Sequence, residues 1–184
     1  MAVTGCLAEG KVSRETKTIE ECMIDIETKD WLKDLFPGVV AVTREVGAVI
    51  MKICAEANST VKYRRDNSPL TQADLASHHV IVEGPARITP EWPILSEESR
   101  EIPYEQRSAW EYFWLVDPLD GTKEFLLRGG EFTVNVALIV RDRPMLGVIY
   151  APAIGRIFFA GRGAGVWKAD AEACTAMRGA KSAS

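Results

Sequence analysis

Two acidic clusters stand directly behind short apolar runs. Glu97-Glu98 follows Ile94-Leu95, and Asp117-Pro-Leu-Asp120-Gly-Thr122 follows Tyr112 to Val116. Apolar runs of this length read as buried strands, and a strand end that opens into a loop presents its side chains to a crevice. Carboxylates crowded there repel one another and lose hydration, so they need a partner. A hard divalent cation is one such partner: Mg²⁺ takes oxygen donors from one or two carboxylates and leaves its other positions to water and substrate phosphate. The competing reading of 117–121 is a plain turn, since Asp, Pro and Gly each have turn reasons to be there, and taken alone the two stand about even. A turn accounts for neither Glu97-Glu98 nor Thr122.

These residues need a scaffold, and the spacing of apolar positions supplies one. After Pro37-Gly38, Val39, Val42, Val46, Val49, Ile50, Ile53 and Ala57 recur at helical spacing and predict an amphipathic helix ending near Asn58. A polar loop is expected through Arg64-Arg65-Asp66-Asn67-Ser68-Pro69. Thr71 then reads as a helix N-cap with Asp74 three residues on, in a capping-box arrangement. Leu75, His79 and Val82 could share a face of that helix, which Gly84-Pro85 should weaken or stop. From Phe132 the period becomes two: Val134, Val136, Leu138 and Val140 alternate with Thr133, Asn135, Ala137 and Ile139. Turn signals separate further strands at 145–151, 156–160 and 165–168. The fold class expected is α+β, or layered α/β, with two helices packed on a largely antiparallel sheet. Residues 1–33 read as a leader, mobile or on the surface; 34–168 as the functional domain; and 169–184, rich in Ala and Ser, as a fraying tail.

Composition narrows the partners. The chain has 184 residues, 47% hydrophobic and 26% charged, with a formal net charge of −4, an ordinary globular balance. No basic stripe points to a nucleic-acid polymer, since the longest basic run, Lys62-Tyr-Arg-Arg65, is broken by a tyrosine. A small anionic substrate stays allowed, because a local metal and backbone donors outweigh a mild global charge. No stretch approaches the roughly 18 apolar residues that span a bilayer. Cys6, Cys22, Cys54 and Cys174 are scattered without a C-x-x-C pair, which suits a reduced, cytoplasmic protein.

Bland readings suit several other features. Glu98 reads as a surface or supporting acid, since Mg²⁺ sites use few carboxylates. His78 and His79 are adjacent on a helix and so point in different directions, and the sequence has no third histidine to build a zinc site. Gly161-x-Gly163-x-Gly165 lacks a following helix and reads as a hairpin turn.

The segment Trp114-Leu-Val-Asp-Pro-Leu-Asp-Gly-Thr-Lys-Glu-Phe125 resembles the signature of the inositol monophosphatase superfamily of lithium-sensitive, magnesium-dependent phosphatases. Leu95-Ser-Glu-Glu98 is similar to that family's second acidic motif, and Ser68-Pro-Leu-Thr-Gln-Ala-Asp74 to its threonine–aspartate stretch. Gly121-Thr-Lys-Glu-Phe125 with Gly130-Glu-Phe-Thr-Val-Asn135 looks like the bacterial 3′(2′),5′-bisphosphate nucleotidase branch. The resemblance implies that Glu97, Asp117 and Asp120 ligate Mg²⁺, with the backbone carbonyl of Leu119 completing one site. It implies that Thr122, paired with Asp74, holds and polarises the attacking water, that Glu97 takes part in catalysis, and that the N–H groups of Gly121 and Thr122 bind phosphate oxygens. Glu97, Leu119 and Asp120 would border the substrate as well.

The activity implied is hydrolysis of the 3′-phosphate of adenosine 3′,5′-bisphosphate to AMP. The alternatives are an inositol or sugar phosphate phosphatase on the same scaffold, and a non-catalytic module that binds metal or anion. A homodimer is open. Relatives carry a second α/β domain with a Trp-Asp-x-Ala-type motif, and nothing here matches it, so the expectation is a chain without that domain, weak or inactive alone.

Overall fold

The computed structural model describes residues 30–55, 61–63, 69–99, 101–170 and 174–177, together with Thr18, Ile19 and Glu21. A short helix α1 (Asp30–Lys33) leads into the long helix α2 (Leu35–Ala55). A two-stranded antiparallel ribbon follows, β1 (Val61–Tyr63) against β2 (Pro69–Thr71). Helix α3 (Gln72–Ile88) precedes β3 (Ile94–Ser96), a single turn of helix α4 (Tyr104–Arg107), β4 (Tyr112–Asp120) and the five-residue α5 (Thr122–Leu126). The remainder is a meander: β5 (Thr133–Val140), β6 (Arg143–Ala151), β7 (Arg156–Gly161), β8 (Gly165–Ala169) and β9 (Cys174–Ala176). Strands β3 to β9 form one sheet in sequence order, in which β3 and β4 pair parallel and every other neighbouring pair is antiparallel. The layered α+β architecture expected from the sequence is present.

Helices α2 and α3 pack on one face of the sheet. Val39, Val42, Val46 and Ile50 are buried, three to four residues apart, as one stripe of a helix requires. They meet the alternate residues Val134, Val136 and Leu138 of β5 and Leu146 and Val148 of β6, all buried. Trp114 is fully buried, and its indole N–H donates to Thr89 Oγ1 at 2.8 Å, so the ring is enclosed without leaving its one donor unsatisfied.

The start of α2, the end of α3 and the buried face of α3 differ from the sequence expectation. Helix α2 begins two residues before Pro37, which lies in the first turn, where its missing N–H costs nothing. Its described part ends at Ala55, and Asn58 and the loop 64–68 lie outside the described residues. Helix α3 runs straight through Gly84-Pro85 to Ile88. The reason is tertiary: a Cβ on Gly84 would lie 2.3 Å from Val42 Cγ1, so glycine lets the two helices touch there, and that packing outweighs the hydrogen bond lost at Pro85. The buried face of α3 is Ala73, Ser77 and Ile81, while Leu75 and His79 point to solvent.

The leader and tail boundaries also move. Leu32 and Ile19 are buried in the core, and Phe36 sets its ring 5.7 Å from that of Phe159, edge-on. The segment before residue 34 therefore contributes apolar anchors. At the other end Ala169 is buried, and β9 adds a seventh strand through the pairs Trp167↔Ala176 and Ala169↔Cys174. Backbone pairing carries the sheet past the point where side-chain periodicity stops.

Candidate active site

The parallel pairing of β3 with β4 builds the site. Its register sets Ser96 beside Val116, and parallel strands end at the same edge. The next residue on each strand is an acid, so Glu97 and Asp117 emerge as neighbours. The Glu97 N–H donates to the Val116 carbonyl at 3.3 Å and holds the two ends together.

Strand β4 does not stop at Asp117 as the sequence suggested. It continues to Asp120 through a bulge, where Pro118 and Leu119 stand against the single residue Val134 between the pairs Asp117↔Asn135 and Asp120↔Thr133. A bulge of this kind re-aims side chains at a sheet edge. The Leu119 N–H donates to Asp117 Oδ1 at 3.1 Å and fixes that carboxylate. Asp120 is exposed and is held by the Asn135 amide, which donates to its Oδ2 at 3.1 Å. Thr133 in turn donates to Asn135 Oδ1 at 3.2 Å.

Gly121 makes the sharp exit from the bulge. Its φ of +89° is left-handed, and a Cβ would sit 2.8 Å from the carbonyl oxygen of Glu131, so no other residue fits. The chain then enters α5, and Thr122 Oγ1 donates to Asp74 Oδ1 at 3.0 Å across a sequence gap of 48 residues. The Leu119 carbonyl lies 3.3 Å from the same hydroxyl and competes for its one proton. Asp74 is fully buried in the first turn of α3, which fixes the direction of this contact.

Asp117 has the strongest electrostatic signature. Burial pushes its carboxyl up to about 7, the nearby Glu97 and Asp120 carboxylates add to the rise, and the Leu119 N–H opposes it. Glu97 also shares a hydrogen bond with it. Asp117 thus keeps its proton to a higher pH than an ordinary carboxyl does.

The donors fit Mg²⁺ in kind: all are hard oxygens, and Asp117 is a half-buried carboxyl with the Glu97 and Asp120 carboxylates near it. Among the described residues, no three His, Cys, Asp or Glu side chains already close around an ion. Glu97 and Asp117 are in contact, while Asp120 turns to Asn135.

Asn135 and Thr133 were legible as alternate positions of a strand and as part of the Gly130–Asn135 motif, with no role at the site assigned to either. An Asn inside a strand, where it is depleted, is the signal that pointed to more. His78 ties α3 to the end of β3: its Nδ1 lies 2.9 Å from Ser96 Oγ, which also accepts the Glu98 N–H at 3.4 Å. Burial pulls the His78 imidazole below its ordinary value, against the pull of Glu98, with His79 adding to the lowering. His79 faces solvent and meets Glu83 at 3.3 Å, so the two histidines do diverge.

A threonine–aspartate contact, a carboxylate pair at parallel strand ends and a bulged Asp-x-x-Asp turn thus meet at one edge of the sheet. The sequence profile of the inositol monophosphatase family matches residues 31–183, and the chain belongs to that family. It is similar to the 3′(2′),5′-bisphosphate nucleotidase CysQ of Salmonella typhimurium, at 47% identity over 72% of this chain and 53% of that protein. The solved CysQ of Bacteroides thetaiotaomicron is 38% identical, with a TM-score of 0.62 over 78% of this chain and 52% of that one. The suhB protein of Bartonella henselae is 29% identical, with a TM-score of 0.67 over 76% of this chain and 53% of that one. The chain thus spans about half the length of the relatives it matches.

Proposed function

We propose that residues 34–168 form the metal-holding, water-activating part of a Mg²⁺-dependent phosphomonoesterase that removes the 3′-phosphate of adenosine 3′,5′-bisphosphate and leaves AMP. The observation that carries the chemistry is the Thr122–Asp74 hydrogen bond beside the Glu97–Asp117 pair. The choice of substrate rests on the likeness to the CysQ nucleotidases.

Glu97, Asp117 and Asp120 are the side chains that would hold the metal, with the Leu119 carbonyl beside them. When bound, Mg²⁺ supplies positive charge to the transferring phosphoryl group and lowers the pKa of attacking water. The protein's own groups do the rest. Thr122 directs its proton to Asp74, which leaves a hydroxyl lone pair to accept from water and aim it. Buried Asp74 keeps that hydroxyl in one rotamer. The N–H groups of Gly121 and Thr122, at the start of α5, are placed to donate to phosphate oxygens, because the first N–H groups of a helix have no partner within it. The scattered cysteines suit a cytoplasmic enzyme.

Phosphate release from adenosine 3′,5′-bisphosphate and from inositol 1-phosphate, with and without Mg²⁺, tests this on the 184-residue chain and on a form lengthened to match its relatives. The expected result is Mg²⁺-dependent release from the bisphosphate, faster in the longer form. A higher kcat/KM for inositol 1-phosphate would reverse the substrate assignment. One other reading is a module that binds metal without turnover. Mg²⁺ binding with no phosphate release from either form would establish it.

A further inference from the structure

Helix α3 sends two polar side chains toward the strand ends that carry the acids. Asp74 and His78 are four residues apart on it, so they lie one above the other on the helix surface. Asp74 accepts from Thr122, just past the end of β4, and His78 Nδ1 lies 2.9 Å from Ser96 Oγ at the end of β3. One turn of helix therefore reaches both places from which the acidic residues emerge.

Ser96 directly precedes Glu97 and is buried. Its carbonyl accepts the Ser99 N–H at 3.1 Å, which closes residues 96–99 into a turn with Glu97 at its second position. Its hydroxyl accepts the Glu98 N–H at 3.4 Å, across the same turn. A serine hydroxyl on its own holds a turn weakly. Here the imidazole fixes its rotamer. Either ring tautomer allows the contact, since the hydroxyl both donates and accepts. A separate tie, from Trp114 Nε1 to Thr89 Oγ1 at 2.8 Å, joins the other end of α3 to β4.

We propose that His78 is a positioning residue for Glu97. Through Ser96 it locks the turn that presents this carboxylate, and it fixes that turn to the helix that carries Asp74. The proposal rests on the reading of Glu97 as a metal ligand. Groups that act on one substrate must be held to within about 0.5 Å by side chains whose own rotamers are fixed. Glu97 and the Asp74–Thr122 pair come from separate segments of the chain, and His78 joins them.

Calorimetric titration of the 184-residue chain with Mg²⁺ tests this without turnover. His78→Leu should weaken Mg²⁺ binding about tenfold, the lower end for a partner that orients a metal ligand. Ser96→Ala should lose at least as much. The double variant should lose no more than Ser96→Ala, because both changes cut one contact. His78→Asn should restore most of the affinity, since its amide stands as many bonds from the backbone as Nδ1. His78→Gln, whose amide extends one bond further, should not. Thr89→Val is the comparison for packing alone: it should lower the melting temperature by leaving the Trp114 donor unsatisfied, with Mg²⁺ affinity unchanged. If His78→Leu does not fold, the contrast between His78→Asn and His78→Gln decides. Wild-type affinity in His78→Leu, equal affinity in the Asn and Gln variants, or an equal loss in Thr89→Val would each overturn the proposal. No Mg²⁺ binding by the wild type would overturn the metal reading itself, and this proposal with it.

Discussion

The two faces of the sheet are made by the same strands, one residue out of phase, and they hold different contents. On the helix-covered face stand Trp114, Val116, Val134, Val136, Leu138 and Val148, all buried. On the other stand Phe113, Leu115, Asp117, Asn135, Ala137 and Ile149, of which Leu115 and Ile149 are 43% and 46% exposed. These covered-face residues are all apolar, whereas the open face collects acids at one end of β4 and Arg107 with its aromatic neighbours at the other. Alternation with a period of two thus separates stability from chemistry within a single strand.

The largest expected effect lies on the covered face. Trp114→Ala should cost about 3–5 kcal/mol in urea denaturation, because it opens a cavity and leaves Thr89 without its partner. Leu115→Ala, one residue away on the open face, should cost less than about 1 kcal/mol, as a half-exposed side chain removes little area from water. Equal losses would show that something covers the open face.

Next comes Thr122→Val, which keeps the shape and removes the hydroxyl. Turnover by an active, longer form should fall about 100-fold, the lower end of what a positioned proton-handling group contributes. Mg²⁺ affinity should hardly change. A variant with full turnover would separate the Thr122–Asp74 contact from the chemistry.

Asp117→Asn should stabilise the metal-free protein. The folded state binds this carboxyl's proton more tightly than the unfolded chain does, so stability falls as pH rises from the ordinary carboxylate range through about 7. The variant's melting temperature should match the wild type near pH 4 and exceed it above pH 7. The advantage there should be about 1–2 kcal/mol after allowance for solvent screening. Mg²⁺ should raise the wild type's melting temperature and erase that advantage. A difference independent of pH would mean that Asp117 carries no such penalty.

The smallest effect should come from Asn135→Ala. Removing the amide that steers Asp120 should weaken Mg²⁺ binding by at most about tenfold in calorimetry, at the low end for a ligand's supporting partner. A change beyond that range would make Asn135 more than a support.

Much of this was readable from residue order alone. The period-two run from Thr133 to Val140 named its own buried side, and the helical spacing of Val39, Val42, Val46 and Ile50 named the face that covers it. Asp117, Asp120, Gly121 and Thr122 are close in sequence, so their turn and its chemistry could be recognised locally. Local rules failed where a distant neighbour overrode them. Gly84-Pro85 looked like a helix stop until Val42 gave the glycine a use, and Leu32 looked like leader until the core around Phe36 enclosed it.

What the sequence determined by itself was the alternation of faces, the acidic strand ends and the family to which they belong. These follow from periodicity and from motifs a few residues long. The parallel register that sets Glu97 beside Asp117, the bulge that turns Asp120 toward Asn135, and the reach of Thr122 to Asp74 across 48 residues were decided by tertiary structure. So was the contact of His78 with Ser96, 18 residues apart in the chain. The physical reason is the same in each case: these contacts join segments far apart in the chain, and only the packing of helices on the sheet fixes which segments meet.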